Sequence, residues 1–366
     1  MSKPRRQHYI PKSYLRNFAE IEDDDEKAFV EVMNVNTGEV KYPFSLSNVC
    51  VSKNLYTLPN VSEEDKFYLE YFYAQNIDAI YPEVYKILTN SKIIEITEEQ
   101  RSKILNVCLS LYFRNARFLE EKNQELDFWL KRLSEQTKGE KDVNCSFDFG
   151  HRRYEFKGNE IENIREKVIL ANRTDFILSH MEDWQKFVHF KNNSQITVCR
   201  ILGDVKLITS DNPVRIANYK KENFDLFDSK NSIQLPLDEE HLLWISSNDQ
   251  EIERNMIYRG LRDKWFAITS NHTIQQDASH WIIGKQGRVI KYLEEDNKYN
   301  NFSPENVQAI EDIKTISTEL THFLDFAREN GGITSEKSIA KLKELKRIPA
   351  FASDPQFQLI CIELGL

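Results

Sequence analysis

The chain has 366 residues, of which 40% are hydrophobic and 11% aromatic, enough apolar material to exclude a disordered or low-complexity protein. A charged fraction of 29% and a formal net charge of −9 predict an acidic, soluble protein and exclude a general cationic coat for nucleic acid, though not a local basic cleft. No run approaches the ~20 apolar residues of a membrane span, no apolar segment follows the basic start MSKPRRQH, and Cys50, Cys108, Cys145, Cys199 and Cys361 are scattered, so a cytoplasmic protein with no membrane contact and with buried free thiols is expected.

The first predicted element is RRQHYIPKSYLRNF, residues 5–18. Pro11 pushes Ile10 into extended backbone, so HYIP runs straight. KSYLRNF suits one or two helical turns with Tyr14 and Phe18 on one face. That aromatic pair is expected to anchor the segment and hold His8 in place. A held histidine serves as general base, as metal ligand or as a satisfied hydrogen-bond partner.

The acidic run EIEDDDEKA, residues 20–28, reads as a solvated loop. FVEVMNVNTGEVKYPFS reads as a hairpin with Gly38 at its turn, and VCVSKNLYTL as further extended chain. Helix then dominates to about residue 136, with Ser62 as a cap and Pro82 interrupting the run. Thr97 and Gln100 form a capping box before a buried face at Leu105, Cys108, Leu109, Tyr112, Ala116 and Leu119. SEQTKGEKDVNCSFDFGHRRYEFKGNE reads as a long loop or small excursion before a helix over 160–190.

The period then changes. SQITVCRILGDVKLITSDNPV predicts two strands joined by a hairpin turn at Gly203-Asp204, and SIQLPL and HLLWISS predict two more. HWIIGKQGRVIKYL reads as a hairpin across Gly284 to Gly287, with helical character over 250–265 and 271–280. Ser303-Pro304 opens a helix running to Gly331, and a last helix is expected over 335–346. The sum is α+β, largely helical with an antiparallel or mixed β-sheet.

Chemistry-bearing residues sit in three of these segments. Besides His8, the ITSDNPV stretch carries Asp211 at a strand end, where it suits a metal ligand or a base, or closes an Asx-turn ahead of Pro213. Arg114 and Arg117 stand three apart in the capped helix, with Asn115 beside them, and two guanidinium forks on one face suit a phosphate or pair with nearby acids such as Glu120 and Glu121. No P-loop, no dinucleotide-binding glycine pattern after a strand and no nucleophile elbow is present.

RRQHYIPKSYLRNFA, FSLSNVCVSKNLYTL, LSLYFRNARF and LITSDNPV, with Pro236-Leu237 following, resemble the bacterial domain-of-unknown-function family 4238 over roughly residues 5–285. The resemblance implies that these separated segments form one module and converge in space, and it suggests a mobile-element or phage-defence context. The expected organisation is a module over 1–300, subdivided at about 60 and 190, with C-terminal helices over 301–366 packed on it.

Together these features lead to the expectation of a hydrolase-type effector, a nuclease in antiviral defence, using Mg²⁺ or Mn²⁺ if a metal is used. His8 is assigned acid–base work, and Asp211 that of base or metal ligand. Arg114 and Arg117 are assigned to phosphate, and Arg16, Asn115 and Asn212 to substrate placement, with nucleic acid held in a local basic cleft. The competing expectation is a non-enzymatic sensor that binds a partner protein or a second copy, with the same residues forming a structural network. A small-ligand site in the same cleft is the third.

Overall fold

The computed structural model describes residues 6–21, 27–58, 61–62, 65–115, 117–137, 142–149, 152–218, 225–247 and 253–300, and 312–366 in part. Strand β1 (Arg6–His8) leads through Pro11 into helix α1 (Lys12–Leu15), which tightens into a 3₁₀ turn over Arg16–Phe18. Then come β2 (Glu20–Ile21), the hairpin β3 (Ala28–Asn34) and β4 (Val40–Ser45), and β5 (Val51–Lys53). Gly38 lies at φ +69° in the hairpin turn, a region where a side chain would be strained.

A helical layer follows. It consists of α2 (Tyr68–Tyr73), α3 (Tyr81–Thr89), α4 (Glu98–Phe113), α5 (Arg117–Thr137) and, after the hairpin β6 (Asn144–Phe149) and β7 (Arg152–Lys157), α6 (Ile161–Phe190). Pro82 sits in the first turn of α3, where a missing N–H costs nothing. At the start of α4, Thr97 Oγ1 accepts from Gln100 N at 3.1 Å while Gln100 Oε1 accepts from Thr97 N at 2.9 Å.

The chain then builds β8 (Ile196–Ile201), β9 (Thr209–Ser210), β10 (Arg215–Ala217), β11 (Ser232–Pro236), β12 (His241–Ile245) and β13 (Ile257–Arg262), followed by α7 (Lys264–Asp277), β14 (Trp281–Gly284) and α8 (Arg288–Asn300). One sheet runs β10–β11–β12–β8–β13, antiparallel except for the parallel β8/β13 pair. The other runs β2–β3–β14–β9, with β4 along β3. The fold is therefore α+β with mostly antiparallel sheets.

The main core joins α1, β3, α2 to α4, α6 and one face of the first sheet, with Tyr14, Phe18, Leu105, Val198 and Leu243 among its buried members. A satellite cluster sits between α5, the β6–β7 hairpin and α6. C-terminal helices α9 (Glu336–Leu345, capped by Ser335) and α10 (Pro349–Ser353) close a third cluster around Leu342, Phe351 and Phe357.

Five expectations change in detail. The stretch expected to be helical over 250–265 holds a strand instead: Ile257–Arg262 forms β13, which pairs parallel with β8, and α7 begins only at Lys264. The excursion after α5 is a regular two-stranded ribbon. Gly203-Asp204 does not join a hairpin: the chain leaves the first sheet there and β9 pairs with β14 in the second. Its backbone groups find partners far along the chain, Ile208 N on Asn271 Oδ1 and Lys206 O on Asn271 Nδ2. After β14 the chain turns at Gly287 into α8 rather than a second strand, because the Glu31 carboxylate of β3 accepts from Val289 N at 2.7 Å and caps the helix start. Finally, α4 stops at Phe113 and α5 starts at Arg117, so Arg114 and Arg117 flank a break instead of sharing one helix face. Most of the acidic run (22–26) and Ser303-Pro304 lie outside the described residues.

Candidate functional site

Four sequence segments meet around the N-terminal strand. β1 pairs antiparallel with β5, placing His8 opposite Val51, and Tyr9 N donates to Cys50 O at 3.0 Å. The buried Gln7 side chain accepts from Tyr56 N at 2.8 Å, tying the opening segment to NLYTL. Arg114, at the end of α4, donates from Nη2 to His8 O at 3.2 Å. Its neighbour Asn115 donates from Nδ2 to Asp211 O at 2.8 Å, bringing in the SDNP segment. Tyr14 completes the ring, its hydroxyl 2.6 Å from Thr209 Oγ1 and donating to Pro236 O at 2.9 Å.

Tyr14 and Phe18 pack with ring centroids 5.5 Å apart, and both are fully buried, so the aromatic pair pins the segment. His8 is half-buried beside it. Burial, and then Lys12, lowers its pKa to about 4; a bond with the Leu46 backbone opposes this, and Arg6 and Arg114 add smaller depressions. The imidazole is therefore neutral at pH 7, and its buried Nε2 has no partner among the described residues.

Arg114 is only 1% exposed. Its guanidinium is bonded to Asp78, whose side chain is 30% exposed, and lies 4.4 Å from the centroid of the Tyr73 ring. Burial alone would pull its pKa down, but Asp78 and then Tyr56 raise it overall, so the charge is fixed. Across this cation Glu70 is pushed to about 7 by burial, with Arg114 opposing and Asp78 adding. Glu70 Oε2 and Arg114 Nε are buried without partners among the described residues. Tyr73 also meets the buried His180, its hydroxyl 2.8 Å from Nε2.

Asp211 behaves differently. Its two carboxylate oxygens accept from Ser279 N at 2.9 Å and His280 N at 2.8 Å, and the residue is 1% exposed. Burial raises its pKa, partly offset by those two backbone bonds. Asn212 is likewise buried, donating to Asp277 O at 3.0 Å. The pair holds the turn between α7 and β14. Among the described residues no three His, Cys, Asp or Glu side chains gather as a ligand set. Arg16 is exposed in the 3₁₀ turn, and the side chain of Arg117 lies outside the described residues.

The convergence thus includes His8, Arg114, Asn115, Asp211 and Asn212, and it adds Glu70, Asp78 and Tyr73, which residue spacing does not single out. One signal for them exists: Glu70 and Asp78 are the only charges in the aromatic run YLEYFYAQNIDAIYP. Charges that interrupt an otherwise apolar run are often buried with a partner. A family model described as Protein of unknown function (DUF4238) matches residues 6–288. The chain belongs to this family. No curated protein and no solved structure matches it.

Proposed function

We propose that this member of the DUF4238 family is a hydrolase-type effector that takes nucleic acid by its phosphates at the face around His8, a nuclease of antiviral defence. One observation carries the reading: Lys12, Arg6 and Arg114 all lie close enough to His8 to depress its proton affinity, on a chain whose net charge is −9. Arg6 and Lys12 are exposed, so the positive potential they add opens to solvent. A phosphate drawn there opposes the part of the depression that these cations cause and so raises the His8 pKa. Neutral His8 then takes a proton from an attacking water, and Glu70, poised about pH 7, is a second acid–base group behind Arg114. Asp211, Asn115 and Asn212 act as positioning residues in this reading.

Wild type and His8→Ala are compared for cleavage of RNA and DNA in Mg²⁺ or Mn²⁺ buffer and for toxicity in a bacterial host. Cleavage and toxicity that vanish in His8→Ala support the reading. No cleavage by wild type, or equal cleavage by the variant, overturns it.

A second reading is favoured by the bonding of Asp211 and the burial of Arg114: a non-enzymatic sensor or partner-binding protein in which the motif residues hold one fold. It expects His8→Ala and Asp211→Ala to lower the melting temperature with strong coupling and to change nothing catalytic.

A further inference from the structure

Beyond the His8 face, a second polar cluster stands at the start of β12, in the segment after Pro236-Leu237. Asp238 accepts from the main-chain N–H groups of Glu240 at 2.6 Å and His241 at 2.7 Å through Oδ1. The same carboxylate lies 2.9 Å and 3.0 Å from His241 Nδ1. Tyr85 of α3 donates to Asp238 Oδ2 at 2.6 Å. Asp238 is 8% exposed, whereas the His241 side chain keeps 20% of its surface in solvent. The carboxylate therefore holds the Nδ1–H of the ring, and Nε2 has no partner among the described residues.

Arg200 is the direct cross-strand partner of His241, so the two side chains stand on one face of the sheet. Its guanidinium is 58% exposed and held on Glu240 Oε2 at 3.0 Å, while Lys206 takes Glu240 Oε1 at 2.8 Å. Two cations share one carboxylate beside an oriented imidazole.

We propose that His241, oriented by Asp238 and Tyr85, is a general acid–base residue for hydrolysis of a phosphodiester, with Arg200 meeting the phosphoryl oxygens. The choice of phosphodiester rests on the nucleic-acid reading above. Nε2 takes the proton of a water whose oxygen bonds to phosphorus. Asp238 stabilises the imidazolium through Nδ1, and Nε2 returns the proton to the departing ester oxygen as the P–O bond breaks. Water and the diester are consumed, and a monoester and an alcohol are formed.

The test uses the full chain, with bis(p-nitrophenyl) phosphate as the hydrolysis probe and a fluorescent single-stranded oligonucleotide as the binding probe. His241→Gln, with His241→Asn as a second variant, and Asp238→Asn are expected to slow hydrolysis at least ~100-fold with oligonucleotide binding retained. Nitrogen NMR of Asp238→Asn is expected to show the ring proton redistributed between Nδ1 and Nε2. Hydrolysis by both His241 variants at the wild-type rate overturns the proposal and leaves the His8 reading standing. Wild-type binding without hydrolysis overturns it together with the catalytic part of the His8 reading. Hydrolysis that depends on His241 in a protein that binds no oligonucleotide supports the proposal and overturns the His8 reading instead.

Discussion

Removing Asp78 strands a guanidinium. Arg114 is 1% exposed, and among the described residues its guanidinium is bonded to Asp78 and the His8 carbonyl and lies over the Tyr73 ring, with the half-buried Glu70 also within reach of its charge. Breaking a buried ion pair from one side costs about 3–5 kcal/mol, because the remaining charge has neither water nor counter-ion. The Asp78 side chain is 30% exposed, so water partly replaces it and the lower end applies, about 3 kcal/mol for Asp78→Ala. Arg114→Met removes the buried charge while keeping the volume, and leaves a carboxylate that water reaches, so it costs less, about 1–2 kcal/mol. The double variant Asp78→Ala/Arg114→Met is expected to be more stable than Asp78→Ala alone. Urea unfolding followed by tryptophan fluorescence reads this directly, with Trp184 centred 6.5 Å from the Tyr73 ring. The Asp78→Ala midpoint should fall by about 1 M. A fall under a third of that, or a double variant that simply adds the two losses, refutes the idea that Asp78 neutralises a buried cation.

Glu70 has a folded-state pKa of about 7 against an ordinary 4.5, so the folded form keeps a proton that the unfolded chain releases. Its contribution is complete below about pH 4.5 and is lost as pH climbs to about 7. Glu70→Gln should therefore match wild type near pH 4.5 and exceed it at pH 8 in urea unfolding, and a pH-independent difference contradicts this. Asp211→Asn points an amide donor at the N–H of Ser279 or His280 and removes a charge-assisted bond, costing about 2–3 kcal/mol. Faster hydrogen exchange at those two amides is the check, and unchanged exchange would count against the bonding described.

Much of the architecture was legible because its causes are local. Gly38, the Thr97–Gln100 box, Pro82 and Ser335 each fix backbone within a few residues, and each does so in the structure. The β6–β7 ribbon, with Phe149 paired to Arg152, was a local signal that was missed, and other failures came where the deciding partner is remote. The segment from Gly203 to Thr209 reads as a hairpin until Asn271 claims its backbone and β14 its strand. α8 exists because Glu31 caps it from β3, a pairing no window of sequence contains. The site followed the same rule. His8, Arg114 and Asp211 were visible as residue types, but the break after Phe113 and the backbone saturation of Asp211 were not. Asp238 and His241, three apart, were within reach of local reading, since an Asp side chain readily bonds backbone N–H groups two and three residues on, which here brings it to the His241 ring as well.

The most direct test of the phosphate-binding claim is the salt dependence of single-stranded oligonucleotide binding, measured by fluorescence anisotropy for wild type and Arg6→Ala/Lys12→Ala. Wild type should bind at low salt, and the variant's slope of log affinity against log salt should be shallower by about 1.4, the loss of two phosphate contacts. Absence of binding by wild type at low salt, or identical slopes for the two proteins, would contradict it.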